Sequence, residues 1–194
     1  MTELYVTPAQ KLTEKYNLTA LVETGCYQCA GLNYAKSIGF LESNLYSCDI
    51  NTEFAKKAKS IMPAATILPT ESISFLTQIL PDLSKQTLFW LDAHYPLHYG
   101  ILNETPIEKM PLSNEIMLIK HLKKNYCNDV IICDDIRVIA DIRNPIYKPG
   151  EISEYYYVSG IWDELNSILS DTHDLSIDSV GEGIAVFTPK ETNV

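Results

Sequence analysis

Between residues 18 and 133, short apolar runs alternate with stretches whose apolar positions recur every three or four residues. The runs at 20–23, 44–48, 87–91 and 130–133 are short and largely apolar, as strands covered on both faces are, and 65–68 reads as a further strand. The stretches between them carry helix punctuation. A helix is predicted over 7–16, with Thr7 at the N-cap and Pro8 in the first helical position. A short one over 31–38 closes on Gly39. The helix over 51–62 places Phe54, Ala58 and Ile61 on one face and stops at Pro63. Another runs over 72–80, capped by Ser72 and followed by Pro81, and a longer one spans 111–125 with Ile116, Ile119 and Leu122 in register.

Strand–helix alternation of this kind implies right-handed crossovers and a parallel sheet with helices on both faces. After a helix at 161–169 the alternation breaks: strands at 174–177 and 184–188 are joined by a few residues around Gly181 and Gly183. So short a link makes a hairpin, hence an antiparallel pair at one end of the sheet. The expected fold is a single α/β domain over 1–194, doubly wound, mostly parallel, with a C-terminal antiparallel hairpin. The least regular segment, 138–159, holds Tyr147, Tyr155, Tyr156 and Tyr157. These offer either an aromatic substrate wall or a cover for the sheet edge.

Candidate chemistry gathers where the predicted strands end. The first strand runs into Glu23-Thr24-Gly25, and the second ends at Asp49. In open α/β sheets that edge carries the ligand, and a turn followed by an acid one strand later is the layout of a nucleoside crevice. Glu23 discriminates between nucleosides. A dinucleotide would set its pyrophosphate on this turn and the helix start behind it. At ~5 Å and an effective dielectric of ~20, each pair of like unit charges repels by ~3 kcal/mol. A ligand bearing a sulfonium and an ammonium reverses that sign. Gly25, without a Cβ, admits close approach of the backbone. Further acids close the fourth and fifth strands at Asp92 and at Asp134-Asp135, with His94 two residues beyond Asp92.

These residues resemble the class I, Rossmann-like S-adenosylmethionine-dependent methyltransferases. The likeness runs from about residue 21 to 189 and rests on Val22-Glu23-Thr24-Gly25, Asp49, Pro69-Thr70-Glu71-Ser72, Phe89-Trp90-Leu91-Asp92-Ala93-His94 and Ile132-Cys133-Asp134-Asp135. It implies a seven-stranded sheet with the last strand inserted beside its neighbour. It implies S-adenosylmethionine as cofactor: Glu23, Gly25 and Cys26 toward the methionine end, Asp49 on the ribose, Glu71 and Ser72 at the adenine, and Asp92 closing the site. One departure is the turn Gly25-Cys26-Tyr27-Gln28-Cys29, where many members place a second glycine two or three residues on. The acids of the fourth and fifth strands resemble the metal-dependent O-methyltransferases. There Asp92, Asp134 and Asp135 would hold Mg²⁺, a hard cation suited to oxygen ligands. Such an ion lowers the pKa of a bound hydroxyl. Their alternative role is to cap the following helix or to form Asx turns. His94 is the candidate general base, with a loop histidine as its alternative role, and Asp92 its companion at the reacting end. Arg137, just past the acidic pair, is expected to pair with it, an acidic substrate being its alternative partner.

Composition narrows the partners. The chain has 194 residues, 46% hydrophobic and 21% charged, with a formal net charge of −10. That balance opposes duplex nucleic acid and anionic membranes, both of which call for clustered Lys and Arg. The expected partner is a small-molecule acceptor, with a homodimer left open. No run approaches the ~20 apolar residues of a membrane helix. Residues 1–13 lack a basic segment followed by an apolar one, so no signal peptide is expected. Five cysteines (Cys26, Cys29, Cys48, Cys127, Cys133) make an odd set, two of them inside strands, which fits a reducing cytoplasmic setting.

Three rival functions follow from the same residues. Cys26 and Cys29 stand at a helix start, where a thiol–disulfide pair would stand, although Glu23 raises thiol pKa values. A non-catalytic nucleoside-binding module keeps the fold without the transfer. A metal-dependent phosphoesterase would use His94 with Asp92, Asp134 and Asp135.

Overall fold

The run that opens with Ala20, Leu21 and Val22 becomes an interior strand of the sheet because these residues are apolar toward both faces. A computed structural model describes residues 4, 7–93, 111–134, 161–178 and 184–191. Within it, β1 (Ala20–Thr24) is buried along its whole length. It lies between β2 (Leu45–Cys48) and β4 (Thr87–Leu91), both parallel to it. β3 (Thr66–Leu68) flanks β2, and β5 (Val130–Cys133) flanks β4, again parallel. β7 (Ile184–Pro189) then pairs antiparallel with β5, and β6 (His173–Asp178) antiparallel with β7. The seven-stranded order is β3-β2-β1-β4-β5-β7-β6.

Successive strand residues point to opposite faces, so each strand feeds two cores. Val22, Phe89, Ile131 and Phe187 pack with α4 (Ser72–Ile79), α5 (Leu112–Leu122) and α6 (Ile161–Leu169). Leu21, Leu45, Trp90 and Ile132 pack with α1 (Ala9–Tyr16), α2 (Ala30–Ser37) and α3 (Thr52–Ile61). The doubly wound architecture expected from the alternation is the one observed.

Two local expectations are corrected. The face of α3 that packs is Ala55 and Ala58, followed by Met62, while Ile61 is 42% exposed. Two small residues let the helix lie close to the sheet, and Phe54 turns sideways to meet the ring of Tyr27 at 4.8 Å. The cap of α4 is Glu71 rather than Ser72. The Glu71 backbone is extended and its carboxylate accepts from the N–H groups of Ile73 (2.8 Å) and Ser74 (2.7 Å). The Thr7 hydroxyl does accept from Ala9 N–H at 3.2 Å, as a capping side chain should, though α1 itself begins at Ala9.

Candidate functional site

Register aligns the strand ends. Thr24 is paired with both Cys48 and Leu91, and Leu91 with Cys133. The next residues of each strand (Gly25, Asp49, Asp92 and Asp134) therefore share one edge. The strand order reverses between β1 and β4, which makes this edge the topological switch point, where open α/β sheets bind ligands.

The first turn is fixed by its neighbours. The N–H groups of Gly25 (3.1 Å) and Cys26 (2.9 Å) both donate to the Cys48 carbonyl. Gly25 has φ +91°, and a Cβ on it would sit 2.9 Å from the Asp92 carbonyl oxygen. Asp49 completes the clasp. One carboxylate oxygen accepts from Tyr27 N–H at 2.9 Å and lies 3.9 Å from the Cys26 thiol; the other accepts from Asn51 N–H at 2.8 Å. Burial raises the Asp49 pKa, opposed by those two N–H groups and the thiol. Tyr27 (φ 37°) and Cys29 (φ 68°) take the left-handed backbone in the stretch that lacks a second glycine.

Glu23 is 3% exposed, tucked behind the turn rather than standing in the open crevice. The Ser47 hydroxyl donates to its carbonyl at 2.7 Å and lies 3.3 Å from its carboxylate. Gly31 of α2 makes room for it, since a Cβ at 31 would meet the carboxylate at 1.9 Å. Glu71 and Ser72 lie at the head of α4, beyond β3. The Glu71 pKa is lowered: partial burial raises it, but the bonds from Ser74 and Ile73 outweigh that. Asp92 is partly exposed; its N–H is shared between the carbonyl and the hydroxyl of Thr24, both at 3.2 Å. Asp134 is buried, and its N–H donates to Leu91 O at 3.1 Å.

Glu23, Gly25, Cys26, Asp49, Asp92 and Asp134 are thus gathered on one edge. His94 and Asp135 lie outside the described residues, as do Arg137 and the tyrosines of 138–159. Among the described residues, no group of three or more His, Cys, Asp or Glu side chains is arranged to hold a metal ion. Asp92 and Asp134 alone do not make the expected site. No helix among the described residues is long and apolar enough to cross a membrane.

Both thiols of the turn are buried. Burial, then the nearby Asp49 and Glu23 carboxylates, pushes Cys26 well up, and burial with Glu23 and Glu42 raises Cys29 to about 11. A thiol–disulfide exchange pair needs the opposite shift.

Two residues at this edge escaped the sequence reading. Ile50, directly after Asp49, is 59% exposed and offers an apolar face beside the clasped turn. Glu115, in the first turn of α5, is 1% exposed. Burial lifts its pKa to about 7, with the Ser72 and Thr24 side chains opposing the shift. The signal was available: with Leu112, Ile116 and Ile119, Glu115 occupies a core position of the helical repeat, where an acid is out of place.

The sheet order and the antiparallel last pair are those of a Rossmann-like, methyltransferase-like α/β fold. Among solved structures, the chain resembles the SAH-bound Podospora anserina methyltransferase PaMTH1 at TM-score 0.58 and 11% identity, covering 94% of this chain and 76% of that one. It resembles a Staphylococcus aureus protein assigned as a caffeoyl-CoA O-methyltransferase at TM-score 0.61 and 11% identity, covering 98% and 85%. A Sulfolobus solfataricus protein assigned as a type 11 methyltransferase follows at TM-score 0.51 and 14% identity, covering 100% and 96%. At these identities the likeness is one of fold. No protein-family model and no curated protein matches the sequence.

Proposed function

We propose that the protein is an S-adenosylmethionine-dependent methyltransferase acting on an oxygen of a small molecule. The observation that carries this reading is the clasped first turn. A glycine is pressed against the Asp92 carbonyl at the switch point, and the Asp49 carboxylate holds the turn in place. The SAH bound in the Podospora anserina neighbour supports the same ligand class.

In this reading Gly25 and Cys26 line the methionine end, and Glu23 supplies negative potential from beneath the turn. Asp49 has lone pairs left to accept from ribose hydroxyls. Ile50 covers one face of the adenine, while Glu71 and Ser72 approach its edge. Bound S-adenosylmethionine supplies a methyl group for in-line transfer, which requires the acceptor oxygen to be held in line with the departing sulfur. Asp92 stands at that end, and His94 takes the acceptor proton.

Metal assistance is the finer part of the proposal. Asp135, beside Asp134 in sequence, would complete the ligand set, and a divalent cation there would make an acceptor hydroxyl more acidic. Chelator should then abolish turnover; turnover that survives chelation removes the metal.

The primary test is calorimetry and thermal melting. S-adenosylmethionine and its demethylated product should bind and a nicotinamide dinucleotide should not. A ligand at 100 times its dissociation constant should add ~2.7 kcal/mol of stability. Preferential dinucleotide binding would refute the reading. The left-handed Tyr27 and Cys29 favour one alternative, a nucleoside-binding module without catalysis. It would bind the nucleoside and release no methyl to any of a broad panel of acceptors.

A further inference from the structure

We propose that Phe54 is a positioning residue of the crevice: its ring meets the Tyr27 ring edge-on and holds the first turn in the left-handed backbone that presents the Tyr27 N–H to Asp49. The assignment rests on reading this crevice as a nucleoside site. Tyr27 has φ 37°, a conformation that glycine adopts freely and a bulky side chain adopts only against a steric penalty. Such a residue persists where its surroundings over-determine it. Two contacts do so here. Its N–H donates to the Asp49 carboxylate at 2.9 Å. Its ring centroid lies 4.8 Å from that of Phe54 with the planes 81° apart, an edge-to-face arrangement that aromatic pairs prefer.

Both contacts lead to the same helix. The other Asp49 oxygen accepts from Asn51 N–H at 2.8 Å, Asn51 caps α3, and Phe54 stands in the first turn of that helix. The first turn and the head of α3 are therefore joined twice, once by a carboxylate and once by a ring pair. The carboxylate that would receive the ribose hydroxyls is part of that double link, so the ring contact steadies the segment that orients it. Core packing does not account for the pair. Tyr27 is 39% exposed and Phe54 half-buried, while the face of α3 that meets the sheet is Ala55 and Ala58. The gain from one aromatic pair is of the size that one residue loses in the left-handed region, so the contact can offset the strain at Tyr27.

The test uses the full chain, with binding of S-adenosylhomocysteine measured by calorimetry and folding by thermal melting. Phe54→Ala should bind roughly fivefold more weakly, the scale of one aromatic pair, and Phe54→Tyr, which keeps the ring, within about twofold of wild type. Tyr27→Gly needs no ring to hold its backbone and should bind within about threefold of wild type. In that background Phe54→Ala should cost nothing further, the non-additivity of residues that act through each other. Tyr27→Ala, which keeps the strain and loses the ring, should bind as weakly as Phe54→Ala and decides the matter if that variant does not fold. Wild-type affinity in Phe54→Ala or in Tyr27→Ala overturns the inference alone. So does a Phe54→Ala loss that persists in full beside Tyr27→Gly. A Tyr27→Gly as weak as Tyr27→Ala assigns the tyrosine ring to the ligand itself and likewise overturns it. A wild-type protein that binds no nucleoside overturns the inference together with the proposed function.

Discussion

A glycine at position 25 meets two demands at once, a positive φ and an approach to the Asp92 carbonyl that no Cβ survives. Gly25→Ala should therefore lower stability by about 1–3 kcal/mol, as strained backbone positions do, read as a shifted urea midpoint. An unchanged midpoint would mean that the turn relaxes freely. Gly31 differs, because its Cβ would meet the end of a flexible side chain, Glu23, rather than backbone. Asp49→Ala strips acceptors from the N–H groups of Tyr27 and Asn51. It should weaken S-adenosylmethionine binding by about 1.5–3 kcal/mol in calorimetry, the scale of hydrogen bonds to a charged group. Equal affinity would remove Asp49 from the site. These positions were legible in the sequence because a strand end, a glycine and an acid one strand later are local signals. The depth of Glu23 was not legible, since it depends on how closely α2 crosses β1 at Gly31.

At the scale of elements, the edge of the sheet opposite the crevice is tied by a buried ion pair. Lys123 follows α5 and turns inward, its Nζ 2.8 Å from the Asp129 carboxylate and donating to Lys85 O at 2.9 Å. Asp129 also accepts from Thr87 N–H at 2.8 Å, and its carbonyl lies 3.1 Å from His173 Nε2. The starts of β4, β5 and β6 are thus held by one carboxylate and its backbone. Lys123→Met should cost about 3–5 kcal/mol in chemical denaturation, because it strands a buried charge. A loss below 1 kcal/mol would show that the pair is dispensable. The pattern placed Lys123 inside a longer helix; α5 ends at Leu122, and the lysine's partner lies across the loop. The same limit explains α3 and α4. Periodicity gives a helix but leaves adjacent faces nearly equivalent, and a cap can come from either of two adjoining polar residues.

For the whole molecule, the buried acids set the response to pH. Glu115 titrates near 7 when folded and near 4.5 when unfolded, because burial disfavours its charge. The folded state then holds a proton that the unfolded chain has released. This contribution to stability is complete below the unfolded pKa and is lost as pH rises through about 7. His173, buried and shifted down, works in the opposite sense below its ordinary range. Comparison with Glu115→Gln isolates the acid: the variant should gain on wild type at pH 8 relative to pH 5, by on the order of 3 kcal/mol. Parallel melting curves at both pH values would count against a buried, titrating Glu115. The sequence by itself determined the alternation of strands and helices, the closing hairpin and the row of acids at strand ends, because each is written in neighbouring residues. Tertiary structure alone decided that Glu23 lies beneath the turn, that Ile61 faces water, and that Glu115 is buried. Those outcomes depend on which distant segments meet, and no local period encodes that.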